Sequence, residues 1–303
     1  MRALAAIVTL ASLSAAAQGY VRTVASDNGG TVLCVAWNKR ALTYRVDSAG
    51  SRQTPGEAEF TAIDSAFASW QALSDSCSDF TFIRGPRIDA PGIGKGTDDA
   101  NVLTFRETSC RETAPLGDPC LSDGSCGNKY FCWDHSDGTI ALTTLTFSTR
   151  TGLILDADIE FNAATYLFTT ISSPPCEVGR EATTCVAYDL QNTATHEIGH
   201  VMGFDHVDNP TSTMAPTAPL GETSKRIIDL GTADGFCSTY PAGGPPMPCD
   251  EQAQLQRHIN AENAGSFGCA CSGGGEGPWL FGLGALALAR RRRRGDCFAA
   301  RLG

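Results

Sequence analysis

Two histidines, His196 and His200, most constrain what this chain can fold into. They lie four positions apart, so on a helix both side chains project from one face, one turn above the other. Two neutral imidazoles so placed can bind one zinc ion, and Glu197 lies beside them without being a ligand. Gly203 can end the helix in the left-handed conformation, and the chain can then turn and bring back His206 as a third ligand.

Three histidine ligands leave the fourth tetrahedral position to water, which is typical of a catalytic zinc site and not of a structural one. The spacing therefore predicts one catalytic zinc held by His196, His200 and His206. The alternative is a helix that carries two surface histidines by chance. The added glycine and third histidine, each at a fixed distance, speak against that alternative.

The complete pattern resembles the zinc signature of the metzincin metalloproteases, which it matches at every fixed position. The short gap from His206 to Met214 is similar to that of the matrixins, the family of the matrix metalloproteinases. The resemblance implies that Met214 forms a turn beneath the metal, although methionine alone is more often a plain core residue. Pro216 stands where astacins and serralysins have a tyrosine, so no tyrosine ligand is expected. Val207 departs from the serine that animal matrixins usually have.

The resemblance covers roughly residues 37–242 and implies an α+β fold. We expect a twisted, mostly parallel five-stranded sheet, mixed overall, with three helices and a zinc cleft between an upper and a lower subdomain. The implied activity is endoproteolysis, in which zinc polarises the scissile carbonyl and Glu197 acts as the general base. Leu142 and Asp158 stand where animal matrixins have ligands of a second, structural zinc, so no second zinc is expected.

Residue patterns before the zinc motif predict the upper subdomain. Phe60, Ile63, Phe67 and Trp70 recur at helical spacing, and a capping box at Thr54–Glu57 predicts the start of that helix. Runs of β-branched and aromatic residues predict strands, listed here with their ranges: 42–46, 80–83, 102–105, 139–147 and 154–161.

Two features of the last strands bear on ligands. By resemblance, residues 140–143 correspond to the sheet edge that lines the substrate cleft, where an extended peptide would pair as an added strand. Asp156, Asp158 and Glu160 are interpreted as solvent-facing strand residues. A calcium role for these carboxylates is left open, because Ca²⁺ binds clustered carboxylates.

The N-terminus predicts export. Arg2, an apolar run and three alanines before Gln18 form a secretory signal peptide over residues 1–17. Ten cysteines follow before residue 267, and an even number in an exported chain favours disulfides. The local pair Cys176 and Cys185 is the one pairing predicted. Residues 107–138 are expected to form a disulfide-rich loop insertion. The ten are Cys34, Cys77, Cys110, Cys120, Cys126, Cys132, Cys176, Cys185, Cys237 and Cys249.

Two alternatives remain for these cysteines. Cys120, Cys126 and Cys132 could form a second metal site, although their five-residue gaps differ from the usual zinc spacing. Cys34 could cap the zinc as a thiolate instead of forming a disulfide.

Charge excludes one class of partner. The stretch from Gln18 to Cys271 carries 16 basic and 31 acidic residues, a net charge near −15. Such a surface repels nucleic acid phosphates, so the expected partners are protein or peptide substrates. We expect the protein to be a monomer and to act at the cell surface or outside the cell.

The C-terminus resembles the sorting signal of myxobacterial surface proteins. Residues 243–268 form a linker, and residues 269–303 contain a cysteine motif, a short apolar run and five arginines at 290–294. Twelve apolar residues are fewer than the roughly 20 that a membrane span needs. The segment is therefore expected in the membrane transiently, before removal; a permanent anchor is the alternative.

Two other functions remain open for the predicted protease domain at residues 18–242. One is a catalytically silent surface binding protein that retains the metzincin fold. The other is a zinc hydrolase that acts on bonds other than peptides. The presence of Glu197 and all three histidines speaks against a retired site.

Overall fold

A computed structural model describes residues 19–26, 32–89, 92–94 and 100–248, together with the strand at 297–302. The predicted signal peptide lies outside the described residues. So do the linker beyond residue 248 and the rest of the predicted sorting segment. Over the described residues, no helix combines the length and apolar character that crossing a membrane requires.

The described residues form six α-helices and twelve strands. The helices are α1 Ala58–Cys77, α2 Cys110–Thr113, α3 Cys120–Asp123, α4 Cys126–Tyr130, α5 Leu190–Val201 and α6 Leu230–Thr239, with a 3-10 turn at Ser224–Arg226. The strands are β1 Val21–Arg22, β2 Val24–Ser26, β3 Val32–Cys34, β4 Ala41–Val46, β5 Thr81–Arg84, β6 Asn101–Phe105, β7 Ala141–Ser148, β8 Ile154–Phe161, β9 Phe168–Thr169, β10 Tyr188–Asp189, β11 Phe204–Asp205 and β12 Cys297–Leu302.

The central sheet confirms the predicted fold class. Five strands lie in the order β5-β4-β6-β8-β7; β5, β4, β6 and β8 are parallel neighbours, and β7 pairs antiparallel with β8. The predicted strands differ from the observed ones by no more than two residues at either end. The three longest helices, α1, α5 and α6, are the three helices of the predicted α+β architecture.

A sixth strand lies on the outer edge of β7. Strand β12 runs antiparallel to β7 and pairs residue by residue, from Leu302 opposite Thr143 to Cys297 opposite Ser148. The residues of β7 before Thr143 lie beyond the end of that pairing. The edge predicted to receive a peptide is therefore partly covered by this chain's own C-terminal strand.

Helix α1 has the predicted buried face but not the predicted start. Phe60, Ile63, Phe67 and Trp70 are all buried. The predicted capping box is wrong, because the helix begins at Ala58 and Glu57 makes no side-chain cap. Gly56, with φ +65°, turns the chain just before the helix. The hydroxyl of Thr54 donates to the Glu59 carboxylate at 2.7 Å instead of capping a backbone N–H.

Hydrogen bonds at both ends fix α5, the helix that carries the zinc motif. The Asp189 carboxylate accepts the Asn192 N–H at 2.7 Å and so caps the start of the helix. At the other end the Trp37 indole donates to the Val201 carbonyl at 2.8 Å, and the Tyr240 hydroxyl donates to the Met202 carbonyl at 2.9 Å. These buried donors satisfy carbonyls that a helix end leaves without partners.

The three acidic residues of β8 do not face solvent as predicted. Asp156, Asp158 and Glu160 are 0%, 1% and 3% exposed. Asp158 accepts the backbone N–H groups of Gly94 at 2.7 Å and Val102 at 2.9 Å.

The disulfide-rich loop explains the burial of Glu160. The Glu160 carboxylate binds Arg106 at 2.6 Å and His135 at 3.1 Å. His135 belongs to the disulfide-rich loop. The loop, which contains α2, α3 and α4, covers this face of the sheet at Glu160, so both faces of β8 are buried there. A calcium site at these carboxylates finds no support among the described residues, where the only metal-compatible group is the histidine triad.

Nine cysteines between residues 19 and 248 are disulfide-bonded. The predicted Cys176–Cys185 bridge is confirmed. The second metal site suggested at Cys120, Cys126 and Cys132 is wrong, because all three are in bridges. Cys34 is also disulfide-bonded, which excludes its role as a thiolate cap in this structure. The other bridges are Cys77–Cys237, Cys110–Cys132 and Cys120–Cys126.

The bridge between α1 and α6 should contribute more stability than the local one. Cys77 and Cys237 are 160 residues apart, whereas Cys176 and Cys185 are 9 apart. In the chain-entropy account, closing the longer loop adds about 2.5 kcal/mol more to the free energy of unfolding. Denaturant unfolding of the two double serine variants measures this difference, and equal losses would contradict the entropic account.

Candidate metal centre

Three imidazole nitrogens converge beside the C-terminal half of α5. The Nε2 atoms of His196 and His200 lie 3.2 Å apart, and each lies 3.1–3.2 Å from Nε2 of His206. Two donors of a tetrahedral zinc, each about 2.0–2.1 Å from the ion, stand roughly 3.3 Å from each other. The spacing of the three nitrogens therefore fits a single zinc ion.

In His196 and His200, the hydrogen-bond partner of Nδ1 determines which ring nitrogen carries the proton. His196 Nδ1 lies 2.6 Å from the Thr213 carbonyl oxygen, and His200 Nδ1 lies 2.7 Å from that of Phe204. A carbonyl oxygen can only accept, so both Nδ1 atoms are donors. Nε2 of each ring then presents a lone pair to the other rings, which is the ligand state that zinc requires.

Burial keeps these imidazoles neutral. It is the main cause that lowers the pKa of His196, His200 and His206, and the positive charge of Lys225 acts in the same direction. Neutral rings whose lone pairs face one another repel unless a cation lies between them. The chemistry of the donor set therefore also fits a metal ion.

Gly203 makes the turn that brings His206 back to the helix. Its φ is +84°, the left-handed region, as predicted. A Cβ there would lie 2.5 Å from the Val35 carbonyl oxygen, so a side chain is excluded by space as well as by conformation. The Gly203 carbonyl accepts the Thr23 N–H at 2.8 Å, and β1 pairs with β11 directly after the turn. The N-terminal segment thus holds the turn.

Met214 is buried against the underside of the zinc-motif helix. A Cβ on Gly199 would lie 2.2 Å from the Met214 sulfur. The Met214 carbonyl accepts the Val207 N–H at 3.0 Å, which ties the turn to the residue after His206. Met214 therefore packs against Gly199 of the zinc-motif helix, and Gly199 supplies the space it needs.

The two carboxylate oxygens of Glu197 differ in their hydrogen-bond partners. Oε2 accepts the hydroxyl of Thr143 at 2.6 Å, whereas Oε1 is buried and has no hydrogen-bond partner within the described residues. Burial is the main cause that raises the pKa of this carboxyl to about 8, against the opposing effects of Thr143 and Lys225. A dication at the triad would add a positive charge nearby and lower that pKa again.

Sequence reasoning missed Asp229, which braces the methionine turn. Its carboxylate accepts the Thr213 N–H at 2.7 Å and the Ser212 hydroxyl at 3.0 Å, while capping α6 through the Thr232 N–H. The Thr213 carbonyl in turn accepts the hydrogen bond from His196 Nδ1. An aspartate directly before a helix is a frequent cap, so its cap role could have been found from sequence, but its bond to the turn could not.

Lys225 was missed as well, and so was the hydrogen bond of Thr143 to Glu197. The Lys225 ammonium is buried and donates to the carbonyls of Ala215 at 2.9 Å and Thr217 at 2.6 Å. Its backbone N–H donates to Asn192 of α5 at 2.7 Å. Lys225 thus ties the segment after Met214 to the zinc-motif helix, through contacts that no sequence spacing indicates.

Comparison with known proteins agrees with this geometry. Residues 98–236 match the model of the Matrixin family. Human neutrophil collagenase (Homo sapiens) is 25% identical over 236 residues, which cover 74% of this chain and 40% of that protein. The matched region thus spans less than half the length of this relative. Together with the mixed five-stranded sheet, these findings support a matrixin-like metzincin domain around the matched residues 98–236.

Substituting Gly203 by alanine should weaken both the fold and metal binding. The left-handed conformation alone costs alanine about 1–2 kcal/mol, and contact with the Val35 carbonyl adds to that cost. Gly56→Ala is the matched control, because Gly56 also has positive φ but nothing lies within 4 Å of its Cβ position. Denaturant unfolding and zinc competition with a chelator measure both effects. Zinc affinity unchanged in Gly203→Ala would contradict the role of the turn.

Proposed function

We propose that this chain, which contains a matrixin-like metzincin domain, is an exported zinc-dependent endopeptidase that hydrolyses peptide bonds of protein substrates. One observation carries the proposal: three facing imidazole nitrogens lie on the same motif as a buried carboxylate whose Oε1 has no partner within the described residues. Matrixins are a metalloprotease family, which agrees with that chemistry.

The zinc would be bound by His196, His200 and His206. Glu197 would accept the proton of the attacking water and transfer it to the leaving amine. Bound zinc supplies Lewis-acid activation of the attacking water and of the scissile carbonyl. Glu197 Oε1 accepts a proton from that water as it attacks, and then delivers the proton to the nitrogen of the leaving amine. The hydrogen bonds to Thr213 and Phe204 hold two of the imidazoles in the ligand tautomer throughout.

The edge of β7 supports a peptide as the substrate. Thr143 of that strand donates to Glu197, so the strand passes within hydrogen-bond distance of the proposed base. A peptide added along residues 140–143 would be held by backbone hydrogen bonds and carried past Glu197. Such an edge suits an extended chain better than a compact small molecule, which favours an endopeptidase over a hydrolase of other bonds.

Glu197→Gln should keep zinc and the fold but lose nearly all peptidase activity. The amide has the shape of the carboxyl but cannot accept the water's proton, so we expect a loss of at least roughly 100-fold in kcat. Glu112→Gln, at an exposed glutamate of α2, is the matched control. Near wild-type turnover of Glu197→Gln at full zinc occupancy would refute the mechanism.

Digestion of casein or gelatin, with and without a chelator, separates the candidate functions. Cleavage that stops with the chelator and returns with zinc supports the endopeptidase. A folded, zinc-loaded protein that cleaves neither substrate would favour a catalytically silent binding protein. Zinc-dependent hydrolysis of ester substrates alone would favour the other class of hydrolase.

We further propose that the enzyme is residues 18–242, freed of residues 1–17 at export and tethered by residues 243–268. Residues 269–303 would serve as a sorting segment removed near Cys269–Cys271. In the full-length chain β12 pairs with Thr143–Ser148, so that removal would also uncover the edge of β7.

The mature protein should therefore end before the apolar run and cleave long peptides faster than the full-length chain. Mass spectrometry of the exported form gives its C-terminus. The kcat/KM for peptides of increasing length, compared with and without residues 269–303, measures the effect of β12. An exported form that ends at Gly303 would rule out processing, and equal kcat/KM values would rule out competition for the edge.

A further inference from the structure

Thr143 and Glu197 form a buried side-chain contact between two elements that are far apart in sequence. The Thr143 hydroxyl donates to Glu197 Oε2 at 2.6 Å, and its oxygen also lies 3.3 Å from the Glu197 backbone carbonyl. Both residues are 0% exposed. A hydroxyl has one proton, and the shorter contact with the charged acceptor is the stronger of the two.

Thr143, the donor of this hydrogen bond, has a fixed position in the sheet. Thr143 lies within β7, where it is paired with Ile159 of β8. A β-branched side chain has few rotamers available in a strand, so its hydroxyl direction is set by the sheet. The carboxylate of Glu197 is thereby anchored through Oε2 from outside its own helix.

The two oxygens of Glu197 consequently differ in what they can do. Oε2 is occupied by Thr143, whereas Oε1 is buried without a partner among the described residues. A buried acceptor left without a hydrogen bond costs free energy, and proteins retain such groups mainly where a ligand or water completes them. Oε1 is the oxygen free to accept a proton.

We infer that Thr143 is a positioning residue for the hydrolysis, which orients Glu197 so that Oε1 alone receives the proton of the attacking water. The inference rests on the proposed function. It assigns no contact between Thr143 and the reacting atoms; Thr143 acts through the carboxylate. Without the hydroxyl, the carboxylate could rotate about its last side-chain bond and would spend less time in the productive orientation.

Thr143→Val removes the hydroxyl at nearly constant volume, and Thr143→Ser keeps it. We expect Thr143→Val to lower kcat by about 10- to 100-fold, the range for a hydrogen bond to a charged group, with KM nearly unchanged. Thr143→Ser should retain kcat within a few-fold of wild type. All variants should bind one zinc, because Thr143 is hydrogen-bonded to Glu197, which is not a ligand, and the three ligand nitrogens belong to the histidines.

Thr144→Val is the matched control. Thr144 is the next residue of β7, is 2% exposed, and its hydroxyl is without a partner in the described part of the chain. Side chains alternate along a strand, so Thr144 faces away from Thr143. Its substitution should leave kcat unchanged. A loss in Thr144→Val equal to that in Thr143→Val would show that packing in β7, and not the hydroxyl, matters.

A second readout does not depend on activity. Crystal structures of wild type and Thr143→Val should show one Glu197 carboxylate orientation in the former and more than one, or a different one, in the latter. The inference is overturned by wild-type kcat in Thr143→Val, by a Thr143→Ser variant as slow as Thr143→Val, or by unchanged Glu197 in both structures. Wild-type protein that binds zinc but cleaves no peptide would refute the proposed function instead, and the crystal structures would still test the contact.

Discussion

The structure depends on three imidazole nitrogens that lie 3.1–3.2 Å from one another. The lone pairs of His196 and His200 repel each other without a cation, and burial, which lowers the pKa of both rings, opposes the protonation that would relieve this repulsion. Something must therefore hold the imidazoles in place from behind. Backbone carbonyls of Thr213 and Phe204 do so for His196 and His200, and the turn at Gly203 does so for His206.

Those supports connect elements that are distant in the chain. Asp229 caps α6 and binds the turn before Met214, so the last helix helps to hold the ring of His196. Trp37 and Tyr240 satisfy the carbonyls at the end of α5. The candidate metal centre is consequently stabilised both from the N-terminal segment, through Trp37, and from the last helix, through Asp229 and Tyr240, which is how preorganised sites are built.

Local patterns predicted the parts of the site that local spacing determines. His196, His200 and His206 lie within one short motif, and helical period plus a glycine turn suffices to bring them together. The strands and the buried face of α1 follow from hydrophobic periodicity in the same way. The start of α1 was wrong because Thr54 binds the side chain of Glu59, a choice that a capping pattern does not reveal.

What sequence could not give are contacts made across the fold. Alternation along β8 correctly puts Asp156, Asp158 and Glu160 on one face, but the disulfide-rich loop covers Glu160 and the backbone at Gly94 and Val102 binds Asp158, contacts that no period encodes. The same loop has a further consequence. Leu116 at its tip is fully exposed, and the Cys110–Cys132 bridge encloses it. A peptide bond cut near Leu116 would leave the two pieces of the chain joined through that bridge, so a single cut there would not release the loop.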